Sequence, residues 1–467
     1  TALWDIEVSA APCAVSVTGD NKMELIVGTK IYTIPTLTTR NPASPAALTL
    51  FKDMNTGVPV ANQAFVKLMN DPDEYGIDTH SSNSVADFDG DGFIDVFLTG
   101  AVGSTTGRTA VFYWNVQKNT VFTALTPSSA DMGYGAAHAD FTDYLNGWLW
   151  GAGRINLGDP TGDGKLDLTF MAGNQLFCLT DDGTGTGLQT AWTQNQVNIA
   201  GSIPLGYRTI NDSRSGVLTC TIYDFNNDGK PELVYRDAQE LVVVDGLTGA
   251  TKLWSVTCQS HTYTEGPVIA DVNGDGATDI CVTCNTSNSF DIDQGIQQQA
   301  LGQIRLYFSN TNSWLPTRKV CNQPGYHVTN INDNLTLPFP QLDQNMIFGT
   351  TPCFAGQTGP VRPLNVFLNQ VPNLGANGCP IYPAPDLTFF GDTPNTLCSD
   401  ADPTNDPPGG CDTNGDGSYA PAVVITPPVC GNLDIKAQFN IQNTGDLAIS
   451  DNMPVSFFDG DPRLNPV

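Results

Sequence analysis

The chain alternates short apolar runs with polar turns and nowhere sustains the i, i+3, i+4 spacing of a long amphipathic helix. Runs such as Val96-Phe-Leu-Thr, Leu168-Thr-Phe-Met and Ile280-Cys-Val282 are rich in β-branched and aromatic residues and are bounded by Gly, Pro, Asn and Asp, which is the pattern of strands. From about residue 11 to about residue 330 one order recurs: apolar strand, acidic turn, apolar strand, then one or two strands of alternating pattern. The clearest instance runs through residues 223–235, 240–245 and 249–254.

The acidic turns share a design. Asp271-Val-Asn273-Gly-Asp275-Gly-Ala277-Thr-Asp279 places acidic or amide side chains at positions 1, 3, 5 and 9, and the glycine at position 6 permits the φ > 0 turn that folds them inward. Asp87-Phe-Asp89-Gly-Asp91-Gly-Phe93-Ile-Asp95 is the fullest copy. Asp159-Pro-Thr161-Gly-Asp163-Gly-Lys165-Leu-Asp167 keeps three carboxylates, and Asp224-Phe-Asn226-Asn-Asp228-Gly-Lys230-Pro-Glu232 ends in glutamate. Ser16-Val-Thr18-Gly-Asp20-Asn-Lys-Met-Glu24 is a decayed copy that has lost the carboxylates of positions 1 and 3. Oxygen-only ligands at this density suit a hard cation, and Ca²⁺, with roughly six to eight flexible oxygen contacts, fits best. Four sites are expected, with side-chain ligands at positions 1, 3, 5 and 9 and the backbone carbonyls of Phe93, Lys165, Lys230 and Ala277 at position 7. An EF-hand would need glutamate at position 12 and flanking helices. Position 12 is Val282 in one loop and Leu98 in another, and the flanks read as strands.

Counting from Ser16, Asp87, Asp159, Asp224 and Asp271, the loops recur at steps of 71, 72, 65 and 47 residues. The shortest step fits one bare four-stranded unit, and the longer ones need insertions, at 51–79 and 133–154. Four-stranded units repeated radially are the blades of a β-propeller, so the expectation is an all-β fold with five blades over residues 1–330. Thr1-Ala-Leu-Trp4-Asp5 reads like Thr251-Lys-Leu-Trp254-Ser255, a segment that closes a unit. The chain therefore begins inside a blade: either further units precede it, or this strand closes a ring with strands from the other end.

Residues 331–385, rich in Pro, Gly and Asn, read as an ordered connector packed on the propeller, with Arg362-Pro-Leu-Asn-Val-Phe-Leu-Asn-Gln370 inside it. Residues 386–467 return to strands. Their strict in/out alternation at 432–446 predicts about half of an immunoglobulin-like sandwich, which in full has about seven strands, so its open edge needs further chain or a partner's strand. An insertion at 391–420 carries Asp412-Thr-Asn414-Gly-Asp416-Gly-Ser418. Its position 9 is Ala420, so it reads either as a fifth calcium site or as a bare turn.

The net charge of −28 argues against nucleic acid as a partner, because phosphate contacts need clustered Lys and Arg. Metal loops account for part of the excess, and an acidic solubilising surface is the alternative for the remainder. Twelve cysteines without zinc spacing, together with calcium loops, point outside the cytoplasm. Cys281-Val-Thr-Cys284 lacks the second pair a zinc ribbon requires. Cys398 and Cys411 either pin the 391–420 insertion or pair elsewhere, for example with Cys379 or Cys430. No signal peptide, membrane-spanning stretch or lipidation motif is present, so a mature or trimmed chain without direct membrane insertion is expected.

Catalytic constellations are missing. His80, His138, His261 and His327 fall in different units and read as core or surface residues, and neither a Gly-x-Ser-x-Gly elbow nor a P-loop occurs. Trp148 and Trp150, beside Tyr134 and Tyr144, make either a sugar-stacking platform or a packed insertion.

The loops resemble FG-GAP or VCBS repeats, the units of integrin-α-type propellers, over about residues 11–330. The resemblance implies Ca²⁺ in a hairpin of each blade. The last module resembles a CARDB-type sandwich through Asn443-Thr-Gly-Asp446 and Val455-Ser-Phe-Phe-Asp-Gly-Asp461. Residues 302–308, 318–326 and 362–370 look like segments of large Bacteroidota surface proteins exported by type IX secretion, including gliding-motility adhesins. The first reading is thus a non-enzymatic, extracellular, calcium-stabilised propeller of a cell-surface adhesin or gliding appendage. Its partners would be other domains or copies of a larger surface protein and cell-surface or environmental glycans. The alternatives are a secreted polysaccharide-binding or polysaccharide-degrading enzyme and a structural subunit of a surface filament.

Overall fold

The computed structural model describes residues 12–127 and 152–373 apart from 21, 35–47, 66–67, 70–77, 80–82, 103–108, 173, 212–217, 227, 261–265, 287–301, 310–313, 322–325, 340–343 and 345–364, together with 387–389, 423–426, 436–439 and 441–443. The chain divides into two compact units, Thr1–Ile381 and Tyr382–Val467. Regular structure among the described residues is almost wholly antiparallel strand, with one 3-10 turn at Val60–Asn62.

The first unit is a series of small sheets. The first sheet runs β1 (Cys13–Val15), β2 (Glu24–Val27), β3 (Lys30–Thr33), β4 (Thr49–Asp53) in that order. Next come β5 (Ala64–Phe65), the separate hairpin of β6 (Leu68–Met69) with β7 (Asp78–Thr79), and then β8 (Asn83–Ala86), β9 (Asp95–Val102), β10 (Thr109–Asn115) and β11 (Thr120–Leu125). In this second sheet β5 and β8 both pair with β9, and β10 and β11 follow on its other side. The third sheet is β12 (Asn156–Gly158), β13 (Asp167–Ala172), β14 (Gln175–Asp181) and β15 (Leu188–Thr190), with β16 (Tyr207–Thr209) also on β14. The fourth is β17 (Cys220–Tyr223), β18 (Glu232–Arg236), β19 (Glu240–Val244) and β20 (Lys252–Thr257), and the fifth is β21 (Val268–Ala270), β22 (Asp279–Cys284) and β23 (Gln303–Phe308).

Position within a sheet explains the composition of each strand. The second strands β13 and β18 are buried along their whole length, and between its charged ends β18 carries an apolar run, Leu233-Val-Tyr235. The outer strands β4, β20 and β23 are largely exposed and tolerate Lys52, Lys252 and Arg305. The 51–79 stretch is not a simple insertion as its sequence suggested. Its first residues belong to β4, and β5 is added to the next sheet.

Apolar layers lie between consecutive sheets. Met171, Leu176, Cys178 and Trp192 pack with Leu218, Leu233 and Val244, joining the third sheet to the fourth. Tyr223, Val234 and Leu241 pack with Ile269, Ile280 and Val282, joining the fourth to the fifth. The first strands follow one another in space as in sequence, β1 beside β8, β8 beside β12, β12 beside β17 and β17 beside β21. A later segment, 365–371, runs along them. Asn365 exchanges two hydrogen bonds with the main chain of Asp87, at 2.7 and 2.6 Å. Phe367 bridges Leu157, Asn156 Nδ2 donates to Leu368 O, and Gln370 Nε2 donates to Ile269 O. Thr221 Oγ1 of β17 also donates to Leu368 O at 3.4 Å, so one short segment touches β12, β17, β21 and the residue that follows β8.

In the second unit the described strands form two ladders, β24 (Leu387–Phe389) with β27 (Ile441–Asn443) and β25 (Val423–Thr426) with β26 (Lys436–Phe439).

Candidate metal centres

Among the described residues each acidic loop joins the first strand of a sheet to the second. Position 9 opens the second strand and faces the residue that precedes position 1: Ala86 pairs with Asp95, Gly158 with Asp167, Tyr223 with Glu232 and Ala270 with Asp279. The decayed loop does the same with Val15 and Glu24. Gly92, Gly164, Gly229 and Gly276 sit at φ of +91°, +84°, +81° and +85°, where a side chain is strained.

That turn aims main-chain donors at the carboxylates. The position-6 glycine N–H donates to the position-1 carboxylate in all four full loops, at 3.0, 2.8, 3.1 and 3.2 Å for Asp87, Asp159, Asp224 and Asp271. The position-7 N–H groups of Phe93, Lys165, Lys230 and Ala277 donate to Asp91, Asp163, Asp228 and Asp275. The position-2 N–H donates to the position-9 carboxylate from Phe88, Phe225 and Val272. Pro160 has no N–H, so at the third sheet Thr161 takes over, through its own N–H and its hydroxyl, at 3.3 and 2.7 Å from Asp167. Asn226 and Asn273 each turn their amide toward the position-5 carboxylate.

These donors leave the acids incompletely served. Asp87 Oδ1, Asp167 Oδ1 and Asp279 Oδ1 are buried and have no hydrogen-bond partner. Burial first, and neighbouring carboxylates after it, push Asp87 up to about 6 and Asp95 up to about 8. Burial likewise pushes Asp159, Asp167 and Glu232 up to about 7. Buried acids massed without a compensating charge are costly, and a divalent cation removes that cost. The carboxylates of Asp87, Asp89 and Asp91 offer oxygens within 4.8 Å of one another and can hold a metal ion. The donor set, all oxygen, fits a hard cation.

Two features around these loops escaped the sequence. At the 87–95 loop, β10 and its turn contribute Tyr113, Asn115 and Lys118, with Tyr113 Oη 3.3 Å from Asp95 Oδ2 and Asn115 Nδ2 3.0 Å from Asp89 Oδ2. At the 271–279 loop, Lys319 Nζ lies 3.7 Å from Asp271 Oδ2. Nothing in a β-turn such as Asn115-Val-Gln-Lys118 announces that its lysine reaches a loop more than twenty residues away. Neighbouring loops also abut: a Cβ on Gly162 would stand 2.7 Å from Gly229 O, and one on Gly19 would stand 3.1 Å from the Phe93 ring.

Of the remaining candidates, Asp412, Asn414 and Asp416, the aromatic group at Trp148 and Trp150, and His80, His138 and His261 lie outside the described residues. His327 is a core residue, stacked on Phe367, with burial pushing its imidazole down to about 4. Cys258 and Cys284 form a disulfide, so Cys284 of the Cys-x-x-Cys pair is bonded to Cys258 and not to Cys281. No helix among the described residues is long and apolar enough to cross a membrane.

Fold and site together define an all-β protein whose repeated hairpins carry oxygen-rich acidic loops. Residues 224–282, from the third full loop through the fourth, match the FG-GAP-like repeat family. Among curated proteins none matches the chain. Among solved structures the chain is similar to the biofilm matrix protein Bap1 of V. cholerae, at 12% identity over 77% of this chain and 70% of that one, with a TM-score of 0.40. It is also similar to an Agrocybe aegerita lectin described as recognising non-reducing terminal N-acetylglucosamine, at 17% identity, covering 60% and 63% of the two chains, with a TM-score of 0.30. Scores this low carry no argument about function.

Proposed function

We propose that this chain is a non-enzymatic, extracellular surface protein built on a calcium-stabilised β-propeller. The five sheets of the first unit serve as its blades, and the second unit belongs to a CARDB-type immunoglobulin-like module. The observation that carries the reading is the four loops of one hydrogen-bonding geometry, three of which hold a buried carboxylate oxygen without a partner. The repeat match over 224–282 supports it, since repeats of this kind often bind calcium. The ligands are the side chains at positions 1, 3, 5 and 9, with position-7 carbonyls beside them.

When bound, Ca²⁺ supplies two positive charges and a crosslink within each hairpin. A site filled by protein oxygens keeps no open position for Lewis-acid chemistry, so the metal is structural and the protein's work is recognition. Extracellular calcium is abundant enough to fill weak sites, and the disulfide suits the same compartment. The surfaces left for partners are the loops and outer strands. The partners proposed are other domains or copies of a larger surface protein, and glycans, in an adhesin or gliding-type role.

The test is metal analysis and melting of the full chain. Purified in calcium, it should retain about four equivalents by mass spectrometry, the number of full loops, and EDTA should lower its melting temperature. Asp95→Asn should remove one equivalent. Absence of calcium together with an unmoved melting temperature would refute the reading.

A further inference from the structure

Among the four full loops as described, the 87–95 loop is the one where a lysine of the chain hydrogen-bonds a loop carboxylate. Lys118 stands in the turn between β10 and β11, its N–H held by Asn115 Oδ1 at 2.8 Å. Its ammonium donates to Asp89 Oδ2, lies 4.0 Å from Asp91 Oδ2 and donates to Gly185 O at 3.2 Å. Gly185 belongs to the turn between β14 and β15, in the next sheet. At φ +66° it presses so closely that a Cβ would stand 2.7 Å from Lys118 Nζ and 2.8 Å from Asp89 Oδ2. Tyr113 Oη and Asn115 Nδ2 also point at Gly185 O, from 3.3 and 3.4 Å.

The loop carries four carboxylates, and the one ammonium comes within 4.0 Å of two of them, Asp89 and Asp91. Asp87, 3% exposed, keeps Oδ1 without any hydrogen-bond partner. A metal seated among Asp87, Asp89 and Asp91 shares Asp89 with Lys118 and repels it across a few ångströms. The lysine side chain is 40% exposed and flexible, so it can leave for solvent at small cost. At the 271–279 loop, by contrast, Lys319 is 61% exposed and stops short of hydrogen-bonding distance.

We propose that Lys118 is an internal counter-cation that competes with calcium for the 87–95 loop and ties the occupancy of that loop to the seam between the second and third sheets through the Gly185 carbonyl. This rests on the calcium reading above and adds to it a chain-specific regulator. Without metal, Lys118 bridges Asp89 to Gly185 and holds the seam. With metal, the bridge is released and the ion does the holding.

Calorimetric Ca²⁺ titration and melting of the full chain test the proposal, with the wild type, Lys118→Met, Lys118→Arg and Asp91→Asn compared. Asp91→Asn identifies the equivalent that belongs to this loop by weakening it. Lys118→Met should tighten that one equivalent by about three- to tenfold, the worth of a partly exposed ion pair. It should lower the melting temperature in EDTA and leave it equal or raised in calcium, while Lys118→Arg should behave like the wild type. If the wild type binds calcium but Lys118→Met leaves every affinity unchanged and lowers both melting temperatures alike, the lysine is only a structural contact and the proposal fails alone. If the wild type binds no calcium, the calcium reading fails and takes the proposal with it.

Discussion

Single residues in this protein are constrained most where backbone and bulky side chains meet. Trp192 is buried between the third and fourth sheets and donates from its indole to Gly246 O at 3.0 Å. Gly249, at φ +66°, lies flat against that ring, and a Cβ there would stand 2.5 Å from it. Gly249→Ala should therefore cost about 2–4 kcal/mol, from overpacking and a left-handed backbone together, as read by urea unfolding. A loss below about 0.5 kcal/mol would show that the ring moves freely. The sequence placed Gly249 at the start of the 249–254 segment with no hint of the tryptophan, because the two meet only when one sheet is laid on the next.

The hairpin with its loop is the element that sets the electrostatics. In the metal-free protein Asp87, Asp159, Asp167, Glu232 and Asp95 keep their protons up to about 6, 7, 7, 7 and 8, against 3.8 for aspartate and 4.5 for glutamate in the unfolded chain. The folded state then binds more protons than the unfolded state between about pH 4 and about pH 8, so stability falls as pH rises through that window. Bound calcium holds the same carboxylates ionised, so above about pH 5 the folded and unfolded states both carry almost no protons there and the slope vanishes. In EDTA the melting temperature should be lower at about pH 8 than at about pH 5, whereas in calcium the two should nearly coincide. Parallel slopes would mean that the loops do not carry the effect.

A second element-scale constraint is the disulfide that ties the end of the fourth sheet to β22, spanning 26 residues. Replacing Cys258 and Cys284 together with serine should lower stability by about 3 kcal/mol by restoring that freedom to the unfolded chain. An unchanged urea midpoint would show that the fold already fixes the segment. The loops and their flanking strands were legible at this scale because each ligand set and each turn glycine lie within nine residues. The disulfide was not, since Cys258 and Cys284 meet across two sheets.

For the first unit as a whole, the 365–371 segment is the common tie. Asn365 is buried and satisfies both main-chain groups of Asp87, so Asn365→Ala should leave two buried polar groups unpaired and cost about 2–4 kcal/mol. Hydrogen exchange should then quicken at β8 and β12 before β19. Equal rates in mutant and wild type would remove the segment from that role. The sequence suggested an ordered connector here from its Pro, Gly and Asn content, yet it could not say which strands the carboxamides of Asn365, Asn369 and Gln370 would serve.

What the amino-acid order settled by itself was local. Strands, acidic turns, the glycines at positive φ and the spacing of carboxylates are all decided within a dozen residues, where chain geometry leaves few choices. Tertiary structure alone decided which lysine reaches Asp89, which cysteine reaches Cys284 and which carboxamides reach the first strands. Those pairings join residues far apart in the chain, and they depend on how the sheets stack when their apolar faces leave water.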